Sequence, residues 1–372
     1  MNDPVAVVQC RTESGRFPGK APRAHSAVLW ISAGGQIGFG HLTRSLSVAQ
    51  HLHTRYAWGV TFLLSGDDAG RIEERGFRRV RLPVEGTAPA VERHLDEAPA
   101  DALICDLRDA TGYESIARLR GRTSLIAMID DVSERRLAAD VVFYPPAPQV
   151  ATLEWPASRA VEVNVGWPWV VIPSVAVSST RSPSSSSHPR LLLSFGGSDV
   201  LGLSRRFARI LAEMPDRYLV TLVLGPGVAD PERVRADVVA TLPSCTVVVD
   251  PPDLRSRIRQ ADLVVCTYGV TVFEAASEGR CCAFVNYGED DVLSGRALVE
   301  AGLAVALGRH DDVDDAALAA QVSSLLVDHR RRLEIGERAA RAIDGRGAER
   351  VAERIAALAT REGQGRRAPR ME

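Results

Sequence analysis

The 372-residue chain has no apolar run longer than a strand, which leaves neither a membrane span nor the hydrophobic stretch of a secretory signal. It has no charge excess: 45 basic and 47 acidic side chains give a net charge of −2, so the overall balance does not call for nucleic acid or an anionic membrane. The six cysteines lack the paired spacing of a zinc site, and several lie inside apolar runs. Cys281 and Cys282 are adjacent and fall on opposite sides of a strand. They read as reduced core residues of a cytoplasmic protein. With 45% hydrophobic residues, there is enough chain for two ordinary α/β domains.

The stretch that organises the rest is Gly34-Gly35-Gln36-Ile37-Gly38-Phe39-Gly40-His41-Leu42-Thr43-Arg44. It follows a strand-like run, Ala27 to Ser32, and opens a helical pattern with Leu42, Leu46, Ala49 and Leu52 on one face. A strand, a glycine loop and a helix start make a site for anions, because the first helical N–H groups have no partner inside the helix. The spacing is neither the dinucleotide fingerprint nor the P-loop. What sets it apart is His41 at the junction, a side chain that exchanges a proton near neutral pH. A polar cap at a helix start is the plainer alternative.

Residues 1–26 begin like a strand followed by a basic loop, Val5 to Lys20, and resemble the opening of cytidylyltransferase-type sugar nucleotidyltransferases. The body of such a domain does not follow, so this segment is expected to be a vestigial arm. Residues 27–172 alternate strand and helix, with apolar strands that predict a parallel sheet covered on both faces. Asp106, Asp130 and Asp131 sit at strand ends, where such sheets bind ligands. They could hold magnesium, although capping and loop bonding are commoner tasks for aspartates there. Residues 173–189 are a Ser-rich linker. A second alternating unit covers 190–345, followed by a helix at 346–360 and a basic tail, 361–372, expected to be disordered. Ser194-Phe195-Gly196-Gly197-Ser198-Asp199 ends one strand of this unit and predicts a second phosphate nest opening a helix. Cys266 to Ala275 ends another strand and starts a helix, with Glu274 placed in its first turn. A carboxylate there can accept both hydroxyls of a ribose, or serve as an ordinary first-turn acid.

Together these segments resemble the GT-B nucleotide-sugar enzymes, which have two Rossmann-like domains facing across a cleft. Within that group the likeness is to the pseudaminic-acid-pathway nucleotide-sugar hydrolases and the spore-coat polysaccharide glycosyltransferases. It rests on Ile37 to Arg44, Ile129-Asp130-Asp131, Leu193 to Asp199 and Gly269 to Ala275, in the family's order. Two places depart from the hydrolase pattern. Tyr268-Gly269-Val270-Thr271 replaces a Gly-Gly-Ser-Thr turn, and Glu289-Asp290-Asp291 replaces Glu-Asn-Gln in a segment that faces the sugar.

The resemblance implies a nucleoside diphosphate sugar, expected to be UDP-linked, lying mainly on the second half. Gly196, Gly197, Ser198, Val270 and Thr271 are expected to hold the diphosphate, and Glu274 the ribose. Gly38, Phe39, Gly40, Arg44, Asp290 and Asp291 fall to the sugar and acceptor. His41 is the expected base, with no metal or cofactor required. The departures favour an inverting transferase acting on a small-molecule or polysaccharide-precursor acceptor. The alternatives are a UDP-sugar hydrolase, a non-catalytic nucleotide-sugar-binding protein and an epimerase on the same fold.

Overall fold

The computed structural model describes residues 25–34, 38–83, 86–157, 161–173, 188–214 and 218–365, with side chains to 360. The arm up to residue 24, most of the 173–189 segment, and Gly35, Gln36 and Ile37 lie outside them.

In the first half the order is β1 (Ser26–Ala33), α1 (Gly40–Tyr56), β2 (Gly59–Gly66), α2 (Arg71–Glu74), β3 (Arg78–Arg81) and α3 (Thr87–Glu97). Then come β4 (Ala100–Asp106), α4 (Tyr113–Ala117), β5 (Thr123–Ile129), β6 (Val141–Tyr144), α5 (Pro148–Ala151) and β7 (Glu162–Val165). All seven strands are parallel, in the order β3-β2-β1-β4-β5-β6-β7. Successive residues of β1 serve opposite faces. Leu29 and Ile31 pack with Leu42 and Leu52 of α1, while Val28 and Trp30 pack with Val91 and Leu95 of α3. The apolar run predicts this, since a strand buried on both faces has no polar side. β7, an edge strand with alternating polar residues, gave no such run.

The second half begins with β8 (Arg190–Ser194), α6 (Leu203–Ala212), β9 (Leu219–Leu224), α7 (Pro231–Thr241), β10 (Thr246–Val249), α8 (Leu254–Gln260) and β11 (Leu263–Thr267). It continues with α9 (Val270–Ser277), β12 (Cys281–Asn286), α10 (Glu289–Glu300), β13 (Val305–Arg309), α11 (Asp315–Val327) and α12 (His329–Ala342). Its six parallel strands run β10-β9-β8-β11-β12-β13. Cys281 faces the core layer with Phe207 and Leu318, and Cys282 the one with Ile258 and Ala275. The two sheets confirm the α/β architecture of two Rossmann-like units.

The last helix, α13 (Gly347–Gly365), returns to the first half. Ala348, Val351, Ala352, Ile355 and Ala359 are buried in the same core as Leu42 and Leu52 of α1. It also runs on to Gly365, whereas the sequence places the start of a disordered tail at residue 361. Among the described residues, no helix is long and apolar enough to cross a membrane.

Candidate active site

In open parallel sheets ligands bind where the strand order reverses, at the carboxyl ends of the strands. In the first sheet that point lies between β1 and β4, and in the second between β8 and β11. The two switch points face one another across a single cleft of about 1180 Å³, lined by both halves.

His41 is the second residue of α1, which starts after Phe39 with no side-chain cap. Its Nδ1 lies 2.5 Å from a carboxylate oxygen of Asp106, the last residue of β4. β1 and β4 are neighbours in the sheet, and this adjacency brings together residues 65 apart in sequence. Arg44, one turn along α1, donates to both oxygens of Asp106 at 2.6 Å and to Asp130 at 2.9 Å. The Asp106 side chain is buried, yet the Arg44 guanidinium and His41 hold its carboxyl well below the usual carboxylate range. Burial works against the Arg44 charge, but the two carboxylates outweigh it and raise its pKa. An ionised carboxylate accepts, so His41 Nδ1 carries the proton and donates to Asp106. The other ring nitrogen is then an acceptor. Arg108 Nε donates to it at 3.3 Å.

These contacts revise the sequence reading of the acidic residues. Asp106 and Asp130 are bound to arginine and histidine, not arranged as magnesium ligands, and Asp131 is paired with Arg135 at 2.8 Å. Arg44, expected at the sugar, is mostly committed to the support of His41, with only 12% of its side chain exposed.

On the opposite wall, Gly196 and Gly197 follow β8, but α6 does not start there. It begins at Leu203, and the Asp199 carboxylate accepts from the N–H groups of Leu203 and Ser204 at 2.8 and 3.1 Å. The start of α6 is therefore already satisfied and offers a phosphate little. Gly197 is covered by Phe39: a Cβ there would stand 2.6 Å from the Phe39 ring. Phe39 is itself buried, a plug between the halves with its ring 5.8 Å below the Arg71 guanidinium. Ser198 Oγ is buried and has no hydrogen-bond partner among the described residues.

The start of α9 differs. α7, α8, α11 and α12 are each capped by an aspartate: Asp230, Asp253, Asp314 and Asp328. α9 begins after Gly269 with no side-chain cap, and its first residue touches the start of α1, Val270 Cγ2 standing 3.3 Å from where a Gly40 Cβ would be. Two helix N-termini thus converge on the cleft, each with free N–H groups and a positive dipole end. Glu274 is the fifth residue of α9, one turn deeper than the first-turn place expected of it. It lines the cleft yet is 5% exposed, and burial pushes its carboxyl up to about 7 against the lowering influence of Arg255 and Thr271.

α10 also starts after a glycine, Gly288, with no side-chain cap. Asp291 accepts from the Tyr287 N–H at 3.0 Å and so turns partly back on its own helix start; Asp290 is exposed on the cleft wall. Sequence reasoning missed Arg108, and noted Tyr268 only as part of the turn that departs from the hydrolase pattern. Tyr268 sits beneath the cleft between Phe273 and Phe284, and burial raises its hydroxyl's pKa. Arg108 falls in no motif; only its place just past β4 marks it.

No family model matches the chain. It is 20% identical over 328 residues to the spore coat polysaccharide biosynthesis protein SpsG of Bacillus subtilis, a match covering 87% of this chain and 95% of that protein. Among solved structures, MurG of Acinetobacter baumannii superposes with a TM-score of 0.64 at 18% identity, covering 89% of this chain and 99% of its own. A UDP co-structure of MnaA from S. aureus gives a TM-score of 0.65 at 12% identity, covering 89% and 96%. The chain has the GT-B fold and resembles the nucleotide-sugar enzymes of that fold, spore-coat polysaccharide proteins included, along most of its length.

Proposed function

We propose that the protein is an inverting glycosyltransferase that moves a sugar from a UDP-sugar to a small-molecule or polysaccharide-precursor acceptor. The observation that carries this reading is the His41–Asp106 pair, whose second ring nitrogen, the one that accepts from Arg108, belongs to the same cleft as the uncapped start of α9. The diphosphate lies at Val270 and Thr271, whose N–H groups have no helical partner, with Gly196 and the unpartnered Ser198 hydroxyl beside it. Gly197, under Phe39, shapes this loop. Glu274 accepts the ribose hydroxyls one turn below. Gly38, Gly40 and Asp290 border the space left for sugar and acceptor.

In the reaction, the acceptor hydroxyl gives its proton to His41 Nε2 as its oxygen attacks the anomeric carbon. The bond from that carbon to the diphosphate breaks, and UDP leaves with the electron pair. The dipole of α9 receives the charge, and Asp106 steadies the imidazolium that forms. Attack from the face opposite the leaving group inverts the anomeric centre. The UDP-bound MnaA structure and the name of SpsG support this assignment of nucleotide and pathway class by analogy.

Mass analysis of a UDP-sugar incubated with the protein tests the reading. A transferase releases UDP slowly in buffer, and at least about tenfold faster once a small-molecule extract supplies the acceptor, a barrier change of ~1.4 kcal/mol. Sugar and acceptor then appear in one mass. Rapid release in buffer alone, with free inverted sugar and no gain from extract, makes the protein a hydrolase. An altered sugar still on UDP makes it an epimerase, and an untouched donor a binding protein.

A further inference from the structure

A general base works through one lone pair, and at His41 that lone pair is already engaged. Arginine nitrogens only donate, so the 3.3 Å approach of Arg108 Nε to His41 Nε2 places a guanidinium N–H on the nitrogen that would take the acceptor's proton. The two arginines beside this histidine are held differently. Arg44 is fixed by its bonds to Asp106 and Asp130. Arg108 follows β4, has 46% of its side chain exposed, and has a second anion within 3.5 Å in Asp130. Across the cleft it also lies close enough to Asp291 to lower that carboxyl's pKa, against the raising effects of burial and Asp290. It therefore has somewhere to go: a small rotation exchanges the imidazole for a carboxylate.

We propose that Arg108 is a positioning residue that guards the His41 lone pair until an acceptor displaces it, and so suppresses loss of the donor to water. A lone water brings no binding energy with which to displace the guanidinium. An acceptor seated by further contacts in the cleft brings enough to turn Arg108 toward Asp130 and Asp291 and to put its own hydroxyl on Nε2. Water is excluded by chemistry at the base as well as by closure of the cleft. This rests on His41 being the base.

The test reads the lone pair directly, in the intact chain and without substrate. Diethyl pyrocarbonate acylates imidazole through a free lone pair, and peptide mass mapping gives the rate at each histidine. In Arg108→Met the rate at His41 should rise roughly threefold or more, the worth of a weak hydrogen bond, with His53 and His94 unchanged as internal references. Arg108→Lys, which keeps a donor, should fall between the two. Release of UDP from UDP-N-acetylglucosamine in acceptor-free buffer should rise in Arg108→Met as well. Equal labelling of His41 in wild type and Arg108→Met overturns the proposal. Faster labelling with no UDP released by either protein keeps the guard contact and overturns its role against water, while absence of UDP release even with the acceptor extract removes the transferase reading, so the two can fail separately.

Discussion

An imidazole can act as base only through the nitrogen that carries no proton, and at His41 that choice is made by Asp106. His41→Ala should lower turnover by about 10²–10⁴-fold with UDP affinity little changed, as steady-state rates and calorimetry would show. Activity within a few-fold of wild type would take His41 out of the mechanism. Glu274 makes a prediction that needs no substrate. Its carboxyl titrates near 7 in the folded protein against about 4.5 in an open chain. A raised pKa means that the folded state binds the proton more tightly, so this contribution to stability is full below pH 4.5 and is lost as pH rises through 7. The shift corresponds to something on the order of 3 kcal/mol. Melting temperature should fall between pH 5 and 8 in the unliganded protein, and Glu274→Gln should flatten that slope. The same substitution should weaken UDP binding; unaltered affinity by calorimetry would remove the ribose assignment. His41 was legible in the sequence because a histidine beside a glycine loop is conspicuous. Asp106 was visible as an acid at a strand end, but its partner depends on β1 lying next to β4, which no local pattern records.

At the scale of elements, the strands were the easiest to read, since burial on both faces leaves uninterrupted apolar runs. Helix starts were harder. Ser194 to Asp199 looks like a nest leading into a helix, yet Asp199 turns its side chain onto the first N–H groups of α6, whereas the start of α9 has no side-chain cap. Which of two glycine loops is left uncapped is settled by one side chain's direction, and spacing does not encode that. The apolar stripe of α13 was equally plain, while the surface it covers was not. Replacing Ile355, fully buried against the first half, by Ala should cost about 2–5 kcal/mol of stability by denaturant melts. Gly347, at the foot of this helix, admits no larger residue: a Cβ would stand 1.9 Å from the Val170 carbonyl oxygen. Gly347→Ala should therefore destabilise the protein by at least ~1 kcal/mol.

Across the whole molecule, side-chain bridges hold the two halves together at both ends of the cleft. Arg71 of the first half pairs with Asp250 of the second, and Gln149 donates to the Ser294 hydroxyl at 2.5 Å. Surface ion pairs such as Arg71–Asp250 add little stability, ~0–1 kcal/mol, but here one joins the two walls of the cleft. Arg71→Ala should leave the melting temperature nearly unchanged and enlarge the radius of gyration seen by X-ray scattering without nucleotide. An unchanged radius would mean that Phe39 and its glycine seat suffice to keep the halves closed.

The return of α13 also bears on how the protein is made. The part of the first sheet over β4 and β5, on the face that α1 covers elsewhere, lacks its helix until residues 347–359 have left the ribosome, about 200 residues after β6 has been synthesised. At about 5–20 residues per second that is a wait on the order of 10–40 s, during which apolar side chains of a finished sheet stand uncovered. The second half, whose strands and layers are complete by α12, has no such interval. A nascent chain halted before α13 should therefore carry a folded second half and a first half that chaperones hold and proteases cut. Of the two halves, the one made first is finished last.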